Sequence, residues 1–331
     1  MDALPELDDV LARAHVVRLP LSTRFRGVDE REVVLLDGPA AWSEFAPFPE
    51  YDDLEAATWL AAALEFGWQP LPGEPLRESI PVNATLPAVA PQDVASVLSR
   101  FGECRTVKVK VAERGQTLAD DVARVTEVRR LLGPVARVRL DANGAWNVDE
   151  AEHAIRALEH FDLEYVEQPC ASVAELAELR QRIHRLDVPI AADESVRRAS
   201  DPLAVARAGA ADLLVVKVAP LGGVRRALDI VAEAGLPAVV SSALDSSVGL
   251  AMGAALAARL PRLDYDCGLG TAALLADDVA APPFAAVDGA LAVRAVTPSM
   301  DAQRRLSAGE PRAHWWRERL SRAWAVLEQR R

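Results

Sequence analysis

The chain has 331 residues, of which 50% are hydrophobic and 26% are charged, and its formal net charge is −12. This balance is typical of a globular protein and excludes a disordered or fibrous one. The negative field repels phosphate backbones and anionic lipid surfaces, so we expect neither nucleic acid nor a membrane as a partner.

The N-terminal segment and the cysteines indicate a cellular compartment. The first ten residues hold four acidic residues and no basic, apolar leader, and no apolar run approaches the ~20 residues that span a bilayer. The three cysteines, Cys104, Cys170 and Cys267, lie far apart without CxxC spacing, which favours a reducing compartment over a disulfide or zinc framework. We therefore expect a cytoplasmic protein, either a monomer or a homo-oligomer.

The first predicted domain is a small α+β capping domain over residues 1–78. Short strands of an antiparallel sheet are predicted at 15–19, 33–36 and 41–45, followed by an amphipathic helix at 53–66. Prolines at 70, 72 and 75 mark a linker. The segment 285–331, with a turn at 287–290 and a final helix at 314–329, is expected to return to this domain.

The second predicted domain, residues 79–284, alternates short apolar runs with helical patterns, which indicates a parallel sheet. Eight strands are predicted, at 80–85, 106–112, 137–141, 164–168, 189–193, 213–218, 238–243 and 265–268. Eight strand and helix units in about 200 residues predict an α/β fold of the (β/α)₈ barrel type, with a last unit that can be modified. A doubly wound open sheet is the competing fold.

Lysine is rare in this chain. Of 37 basic residues only three are lysines, Lys108, Lys110 and Lys217. Since arginine is the default cation here, a lysine is a candidate for a role that requires loss of a proton. Lys108 and Lys110 alternate with valines and project from one face of a strand, and Lys217 lies at the end of another strand. In a barrel these positions face the lumen near its active-site end, whereas solvent exposure is the simpler alternative.

Three carboxylates end the third, fourth and fifth predicted strands at equal spacing: Asp141, Glu167 and Asp193. Ionised carboxylates at one level of a barrel repel one another unless a cation neutralises them. Oxygen ligands without a nearby histidine or cysteine favour Mg²⁺. Such an ion could hold a substrate carboxylate while a lysine removes the adjacent proton. For each acid alone, a salt bridge or a helix cap is the alternative.

Five short motifs carry a resemblance to a known family. They lie at 108–110, 141–146, 167–169 and 192–195, and at Lys217 followed by Gly222-Gly223. With them the chain resembles the muconate-lactonizing subgroup of the enolase superfamily, most closely its o-succinylbenzoate synthases. The resemblance implies Mg²⁺ as cofactor, held by the three carboxylates named above. It also implies a role for each lysine. Lys110 would be the general base, and Lys217 would stay protonated on the opposite face of the substrate. Lys108 would lie near the substrate carboxylate.

The resemblance further implies residues around the substrate. The implied substrate-binding residues are Asn143, Ser241, Ser242 and Phe45, and Glu194 is implied to contact the metal ligands. The segment 42–48 resembles a loop that closes over the site, with 21–27 as its partner, and 241–247 resembles a segment that binds a succinyl carboxylate through hydroxyls and a helix N-terminus. The alternatives are that Trp42 and Phe45 only pack the small sheet and that the serines only cap a helix.

The implied activity is Mg²⁺-dependent syn-dehydration of 2-succinyl-6-hydroxy-2,4-cyclohexadiene-1-carboxylate to 2-succinylbenzoate in menaquinone biosynthesis. The alternative within the superfamily is an N-succinylamino acid racemase or a dipeptide epimerase. Asp264-Tyr265-Asp266 resembles the paired acids with which such epimerases hold a substrate ammonium. Two hypotheses lie outside this chemistry. One is an enzyme that forms a Schiff base on Lys217, and the other is a ligand-binding barrel without catalysis.

Overall fold

The computed structural model describes residues 4–25, 27–198 and 201–330. The strands are β1 Ala14–Phe25, β2 Val28–Asp37, β3 Trp42–Phe45, β4 Ser79–Pro81, β5 Ala84–Leu86, β6 Thr106–Lys110, β7 Arg137–Asp141, β8 Leu163–Glu167, β9 Ile190–Ala192, β10 Leu213–Val216, β11 Ala238–Val240 and β12 Ala290–Ala292. The α-helices are α1 Leu7–Ala12, α2 Asp53–Trp68, α3 Val94–Leu98, α4 Leu118–Leu132, α5 Val148–Leu158, α6 Val173–Arg182, α7 Glu194–Arg197, α8 Ala204–Arg207, α9 Val218–Leu221, α10 Val224–Ala234, α11 Ser247–Arg259, α12 Met300–Arg305 and α13 Glu310–Gln329.

Strands β5 to β11 form one parallel sheet in the order of the sequence. Each strand presents alternate side chains to opposite faces, so the valines of β6, Val107 and Val109, pack in the core with Val125 and Val128 of α4. The opposite face of the sheet lines the lumen. The predicted (β/α)₈-type architecture is thereby confirmed, and the doubly wound open sheet is wrong because every successive strand pairs with its predecessor in parallel.

The last unit of the barrel is modified. The predicted eighth strand, 265–268, is reduced to two single-residue bridges, in which Cys267 pairs with Val82 and Gly268 pairs with Ser241. The Asn83 amide donates to the Cys267 carbonyl at 2.9 Å, and the Gly268 amide donates to the Val240 carbonyl at 2.8 Å. A short segment therefore joins the two ends of the seven-stranded sheet.

The first predicted barrel strand, 80–85, is split in two. Its first half is β4, which pairs antiparallel with β12 in a separate two-stranded sheet, so Ile80 lies opposite Leu291. Only β5 enters the parallel sheet, beside β6. The predicted turn at 287–290 is present as an antiparallel bridge between Val287 and Ala290 that leads into β12.

The lumen has an apolar part and a charged part. Its apolar part is a cluster of five buried side chains: Tyr165, Ala191, Leu213, Val215 and Val239. The charged part centres on Arg139, which is fully buried. Arg139 donates to Glu164 Oε2 at 2.5 Å, to Asn83 Oδ1 at 3.0 Å and to the Asp266 carbonyl at 2.6 Å. Its guanidinium lies 4.8 Å from the centre of the Tyr165 ring.

Residues from both ends of the chain share a second core. Strands β1 to β3 form an antiparallel sheet. The apolar core beside it contains Trp59 and Leu60 of α2 together with Trp316 and Leu320 of α13. The C-terminal helix thus packs against the N-terminal segment, while the domain boundaries at 78 and 284 stay a prediction. No helix among the described residues is both long and apolar enough to cross a membrane.

Glu65 of α2 contacts the barrel at the N-terminus of α10. Its buried carboxylate accepts hydrogen bonds from the Val224 amide at 2.5 Å and the Arg225 amide at 3.1 Å. Such a carboxylate satisfies amides that have no partner within the helix. Gly223, which precedes the helix, has φ +124°, and a Cβ there would overlap Glu65 Oε2. The motif Gly222-Gly223 therefore makes room for this contact.

We expect Gly223→Ala to destabilise the protein by about 1 to 3 kcal/mol, because it combines a strained φ with displacement of Glu65. Gly235→Ala is the matched control, since Gly235 also has a positive φ but has no atom within 4 Å of an added Cβ. Thermal unfolding of both variants measures the difference. Equal losses would show that the Glu65 contact contributes nothing.

Candidate active site

The six predicted lysines and carboxylates lie at one end of the barrel. Lys110 is in register with Asp141 across β6 and β7, and Asp141 is in register with Glu167 across β7 and β8. Asp193 directly follows β9, and Lys217 directly follows β10. Because parallel strands end at the same edge of a sheet, the sequence order alone brings these residues to one mouth.

Each carboxylate contacts at least one of the lysines. Lys110 Nζ lies 2.5 Å from Asp141 Oδ2, and Lys108 Nζ lies 2.9 Å from both Glu167 oxygens and 3.3 Å from Asp141 Oδ2. On the other wall, Lys217 Nζ lies 2.6 Å from Asp193 Oδ2. The three carboxylates are at most 1% exposed. The predicted juxtaposition of acids and amines is present in the structure.

The charges in this mouth shift one another's pKa values. Burial together with the negative charge of Asp141 raises the pKa of Glu167 to about 7. Burial alone would raise the pKa of Asp193, but Arg197 and Lys217 outweigh it and lower that pKa to about 2. Burial lowers the pKa of the Lys217 amine below its usual value. Burial acts in the same direction on Lys108, but Glu167 and Asp141 outweigh it and raise its pKa.

The carboxylates of the mouth have the chemistry of a divalent-cation site. Within residues 4–25, 27–198 and 201–330, no three His, Cys, Asp or Glu side chains lie close enough together to hold a metal as they stand, and lysine amines contact the carboxylate oxygens. The donors are nevertheless all oxygens, buried, and close enough to raise the pKa of Glu167. Glu194 Oε2 is also buried without a hydrogen-bond partner among the described residues. This chemistry fits a hard cation such as Mg²⁺.

Asn143 and Glu194 lie beside the charged groups. Asn143 Oδ1 accepts from Lys110 Nζ at 2.5 Å, and Asn143 Nδ2 donates to Glu194 Oε1 at 3.3 Å. Asn143 has φ +48°, a conformation that asparagine tolerates better than most residues. Several further residues line the cavity, among them Arg197 and Phe25, neither of which was a predicted site residue. The Phe25 ring centre is 5.5 Å from Lys110 Nζ.

Phe45 does not take the position expected of a substrate-binding residue. It is fully buried in the core of the small sheet, where its ring meets Trp316 edge to face at 6.0 Å. Trp42 lies against His15 of β1. The alternative that these aromatic residues pack the small sheet therefore applies, and Phe25 supplies the aromatic lining of the cavity. Phe25 belongs to the predicted partner loop 21–27, in which residue 26 lies outside the described residues.

The serines after β11 divide into two groups. Ser241 and Ser242 line the cavity, and Ser242 Oγ contacts the Gly268 carbonyl at 3.0 Å and Thr271 Oγ1 at 2.7 Å. The N-terminus of α11 is already occupied by protein carboxylates, since the Ser246 amide donates to Glu44 at 3.1 Å and the Ser247 amide donates to Asp278 at 3.1 Å. The amides at this helix N-terminus thus already have protein partners, and the binding of a substrate carboxylate there stays a prediction.

Asp266 lies at the opposite end of the barrel from the mouth. It accepts hydrogen bonds from Thr106 Oγ1 at 2.6 Å and from Arg137 Nη2 at 2.8 Å, and these two residues begin β6 and β7. Asp264 forms an exposed ion pair with Arg262. Residues 264–266 resemble an ammonium-binding pair in sequence, but the two acids do not lie at the mouth. They pair with arginines, away from the lysines.

Glu44 should make the stability of the protein depend on pH. Burial, reinforced by the charge of Asp245, raises the pKa of Glu44 to about 8, whereas an unfolded glutamate titrates near ~4.3. Between these values the folded chain keeps a proton that the unfolded chain has lost. The free energy of unfolding should therefore fall as pH rises from about 5 to 8.

Substitution isolates this contribution, because the pKa values of Asp245 and Asp278 are also raised by burial and add to the same slope. We expect Glu44→Gln to flatten the dependence of the unfolding temperature on pH between about 5 and 8. Glu127→Gln, in an exposed ion pair on α4, is the control and should leave the slope unchanged. A slope that is the same in Glu44→Gln as in the parent chain would contradict the assignment.

The sequence of this chain is similar to two protein families and to individual relatives. Residues 92–298 match the family described as enolase C-terminal domain-like, and residues 16–67 match the enolase N-terminal domain-like family. The chain is 55% identical over 327 residues to the o-succinylbenzoate synthase of Mycolicibacterium smegmatis, covering 98% of this chain and 99% of that one. It is 54% identical over 325 residues to the o-succinylbenzoate synthase of Mycobacterium tuberculosis H37Rv, covering 98% and 97%.

Solved structures share the fold. A muconate lactonizing enzyme from Pseudomonas fluorescens, complexed with muconolactone, superimposes with a TM-score of 0.76 at 22% identity, over 89% of this chain and 98% of that one. The N-succinyl Arg/Lys racemase of Bacillus cereus gives a TM-score of 0.72 at 19% identity, over 89% and 97%. At these identities the likeness concerns the fold alone.

Proposed function

Because the chain belongs to the enolase superfamily, we propose that it is an o-succinylbenzoate synthase that dehydrates 2-succinyl-6-hydroxy-2,4-cyclohexadiene-1-carboxylate to 2-succinylbenzoate. Its identity of 54 to 55% to curated synthases over nearly their full length supports this substrate. The proposed chemistry rests on one observation: at the mouth of the barrel, buried carboxylates lie between lysines on two walls. A product of this kind belongs to menaquinone biosynthesis.

Asp141, Glu167 and Asp193 would hold Mg²⁺, which when bound stabilises negative charge that develops on a substrate carboxylate. The charge count of the mouth supports this cofactor. When Lys110 is the neutral amine that a base requires, three carboxylates and the ammonium groups of Lys108 and Lys217 leave one negative charge. A divalent cation then makes the mouth positive by one charge, and the proposed substrate carries two carboxylates. A dianion would therefore enter a site of opposite charge.

Lys110 is the proposed general base. Its Nζ is fixed by Asp141 and Asn143, and its side chain is 12% exposed. The amine takes the proton from the carbon next to the ring carboxylate, holds it, and returns it on the same face to the departing hydroxyl. The C–H and C–O bonds break, water leaves, and the ring becomes aromatic without net consumption of a proton. Asp193 holds Lys217 on the other wall, where its ammonium would stabilise the delocalised anion.

Racemisation of N-succinylamino acids is the second candidate, because lysines on two walls could exchange protons on both faces of a carbon. The hypothesis of a dipeptide epimerase loses the sequence feature that supported it. Asp266, which was to hold the substrate ammonium, is bound by Thr106 and Arg137 at the other end of the barrel.

Turnover tests the proposal directly. The purified protein, given the cyclohexadiene substrate and Mg²⁺, should produce the ultraviolet absorbance of 2-succinylbenzoate, and a chelator should stop the reaction until Mg²⁺ is restored. N-succinylamino acids in deuterated solvent form the parallel assay, since exchange at the α carbon reports racemisation. Deuterium exchange without dehydration would favour the racemase, and no turnover with Mg²⁺ present would contradict the proposal.

The cytoplasm is the proposed location of this reaction. All three cysteines are free thiols and buried, and burial raises the pKa of each, to about 11 in Cys104 and about 12 in Cys170 and Cys267. Such thiols are poor nucleophiles and remain reduced in that compartment. The small-molecule carboxylate is the proposed partner.

A further inference from the structure

Arg197 lies between the mouth of the barrel and the small domain. It ends α7, is 6% exposed, and lines the cavity. Three of its nitrogens make different contacts. Nε donates to Asp193 Oδ1 at 2.9 Å, Nη2 donates to Glu194 Oε1 at 2.6 Å, and Nη1 donates to Tyr51 Oη at 3.2 Å.

The contact with Asp193 fixes the direction of that carboxylate. Oδ1 faces Arg197, while Oδ2 faces Lys217 across the mouth at 2.6 Å. A guanidinium is planar and presents its donors in a rigid fork, so the Glu194 and Asp193 contacts together restrict rotation of both acids. Arg197 therefore holds Oδ1 of Asp193 and leaves Oδ2 on the side of Lys217.

Tyr51 is itself fixed from the C-terminal helix. The buried Arg319 of α13 donates to the carbonyls of Phe48 at 3.0 Å, Pro49 at 2.9 Å and Tyr51 at 2.6 Å. These contacts set the backbone from which the Tyr51 ring extends. A continuous series of hydrogen bonds thus runs from α13 through Tyr51 and Arg197 to Asp193.

We propose that Arg197 is a positioning residue that orients Asp193 toward the divalent cation and couples this carboxylate to the small domain through Tyr51. The inference rests on the proposed function, since it takes Asp193 to be a ligand. It also gives Tyr51, which lies outside the barrel, a part in cation binding.

Calorimetric titration of Mg²⁺ into the substrate-free protein tests the role of Arg197. Arg197→Lys keeps the charge but loses the fork, and we expect its Mg²⁺ dissociation constant to rise by about 10- to 100-fold. Arg197→Gln removes a positive charge, which by electrostatics alone would tighten cation binding. We expect it to weaken binding as well. Unchanged affinity in Arg197→Lys, or tighter binding in Arg197→Gln, would overturn the proposal.

Tyr51→Phe tests the link to the small domain. It removes one hydrogen-bond acceptor, so the dissociation constant should rise by about fivefold, and unchanged affinity would overturn the coupling. Arg156→Lys is the matched control, because Arg156 is exposed on α5 and pairs there with Glu152, away from Tyr51 and the mouth. It should bind Mg²⁺ like the parent chain, and equal weakening in Arg156→Lys would show that the effect is not specific to Arg197.

Two further readouts separate this inference from the proposed function. If the parent chain binds Mg²⁺ and Arg197→Lys binds it equally well, only this inference fails. If the parent chain binds no Mg²⁺, the proposed function fails and the inference fails with it. At saturating Mg²⁺ we expect kcat of Arg197→Lys to recover, whereas a purely structural role would lower the unfolding temperature and leave the Mg²⁺ affinity unchanged.

Discussion

Replacement of Lys110 by arginine should lower kcat for dehydration by about 10² to 10⁴-fold, because a guanidinium keeps its proton and cannot act as a base near neutral pH. Arginine retains the positive charge opposite Asp141, so the unfolding temperature should stay close to that of the parent chain. Lys110→Ala should lose activity to at least the same extent. Steady-state dehydration at saturating substrate and Mg²⁺ measures both.

The reciprocal exchange is the control for this experiment. Arg105 is exposed and directly precedes β6, the strand that carries Lys110. Arg105→Lys should leave kcat unchanged. Retention of more than about a tenth of kcat in Lys110→Arg would mean that another group accepts the proton, since a general base contributes at least about 10²-fold. Lys217 would then be the group to substitute next.

Replacement of Arg139 by methionine should lower the free energy of unfolding by about 3 to 5 kcal/mol, because it breaks a buried ion pair and leaves its partners without a donor. Glu164 and the buried Asn83 would lose their contacts in the lumen. Methionine fills a similar volume, so the loss comes from charge and hydrogen bonding more than from a cavity. Urea unfolding followed by far-ultraviolet circular dichroism measures it.

The same change on the surface provides the comparison. Arg130 is 65% exposed on α4 and pairs with Glu127 three residues earlier. Because water screens such pairs, Arg130→Met should leave the unfolding midpoint unchanged. If Arg139→Met were equally neutral, the polar part of the lumen would have no structural importance, and the arginine would need another explanation.

The chemistry of the mouth could be predicted because it depends on two simple regularities. Side chains alternate along a strand, and parallel strands end at one edge, so Lys110, Asp141 and Glu167 had to meet once their strands were recognised. The rarity of lysine marked its three positions. Neither the strand pattern nor the lysine count depends on contacts between residues that are distant in the sequence and lie on different domains.

The residues that were missed depend on such distant contacts. Alternation in the small sheet could not tell whether Phe25 or Phe45 faces the cavity, because the buried face is defined by Trp316, far along the chain. Arg197 was hidden by composition, since arginine supplies nearly all of the basic residues. The predicted eighth strand is longer than the observed one, because two bridging residues, Cys267 and Gly268, are enough to join the sheet ends.

The positions of the lysines allow opening of the barrel to be measured by proteolysis. The side chains of Lys108, Lys110 and Lys217 are 7%, 12% and 10% exposed, and the sequence has no other lysine. An endoprotease that cuts only after lysine therefore finds its targets only in molecules whose mouth has come apart. The digestion rate would measure the fraction of such open molecules, and a dicarboxylate that closes the mouth would slow the digestion. The measurement needs no label and no engineered site.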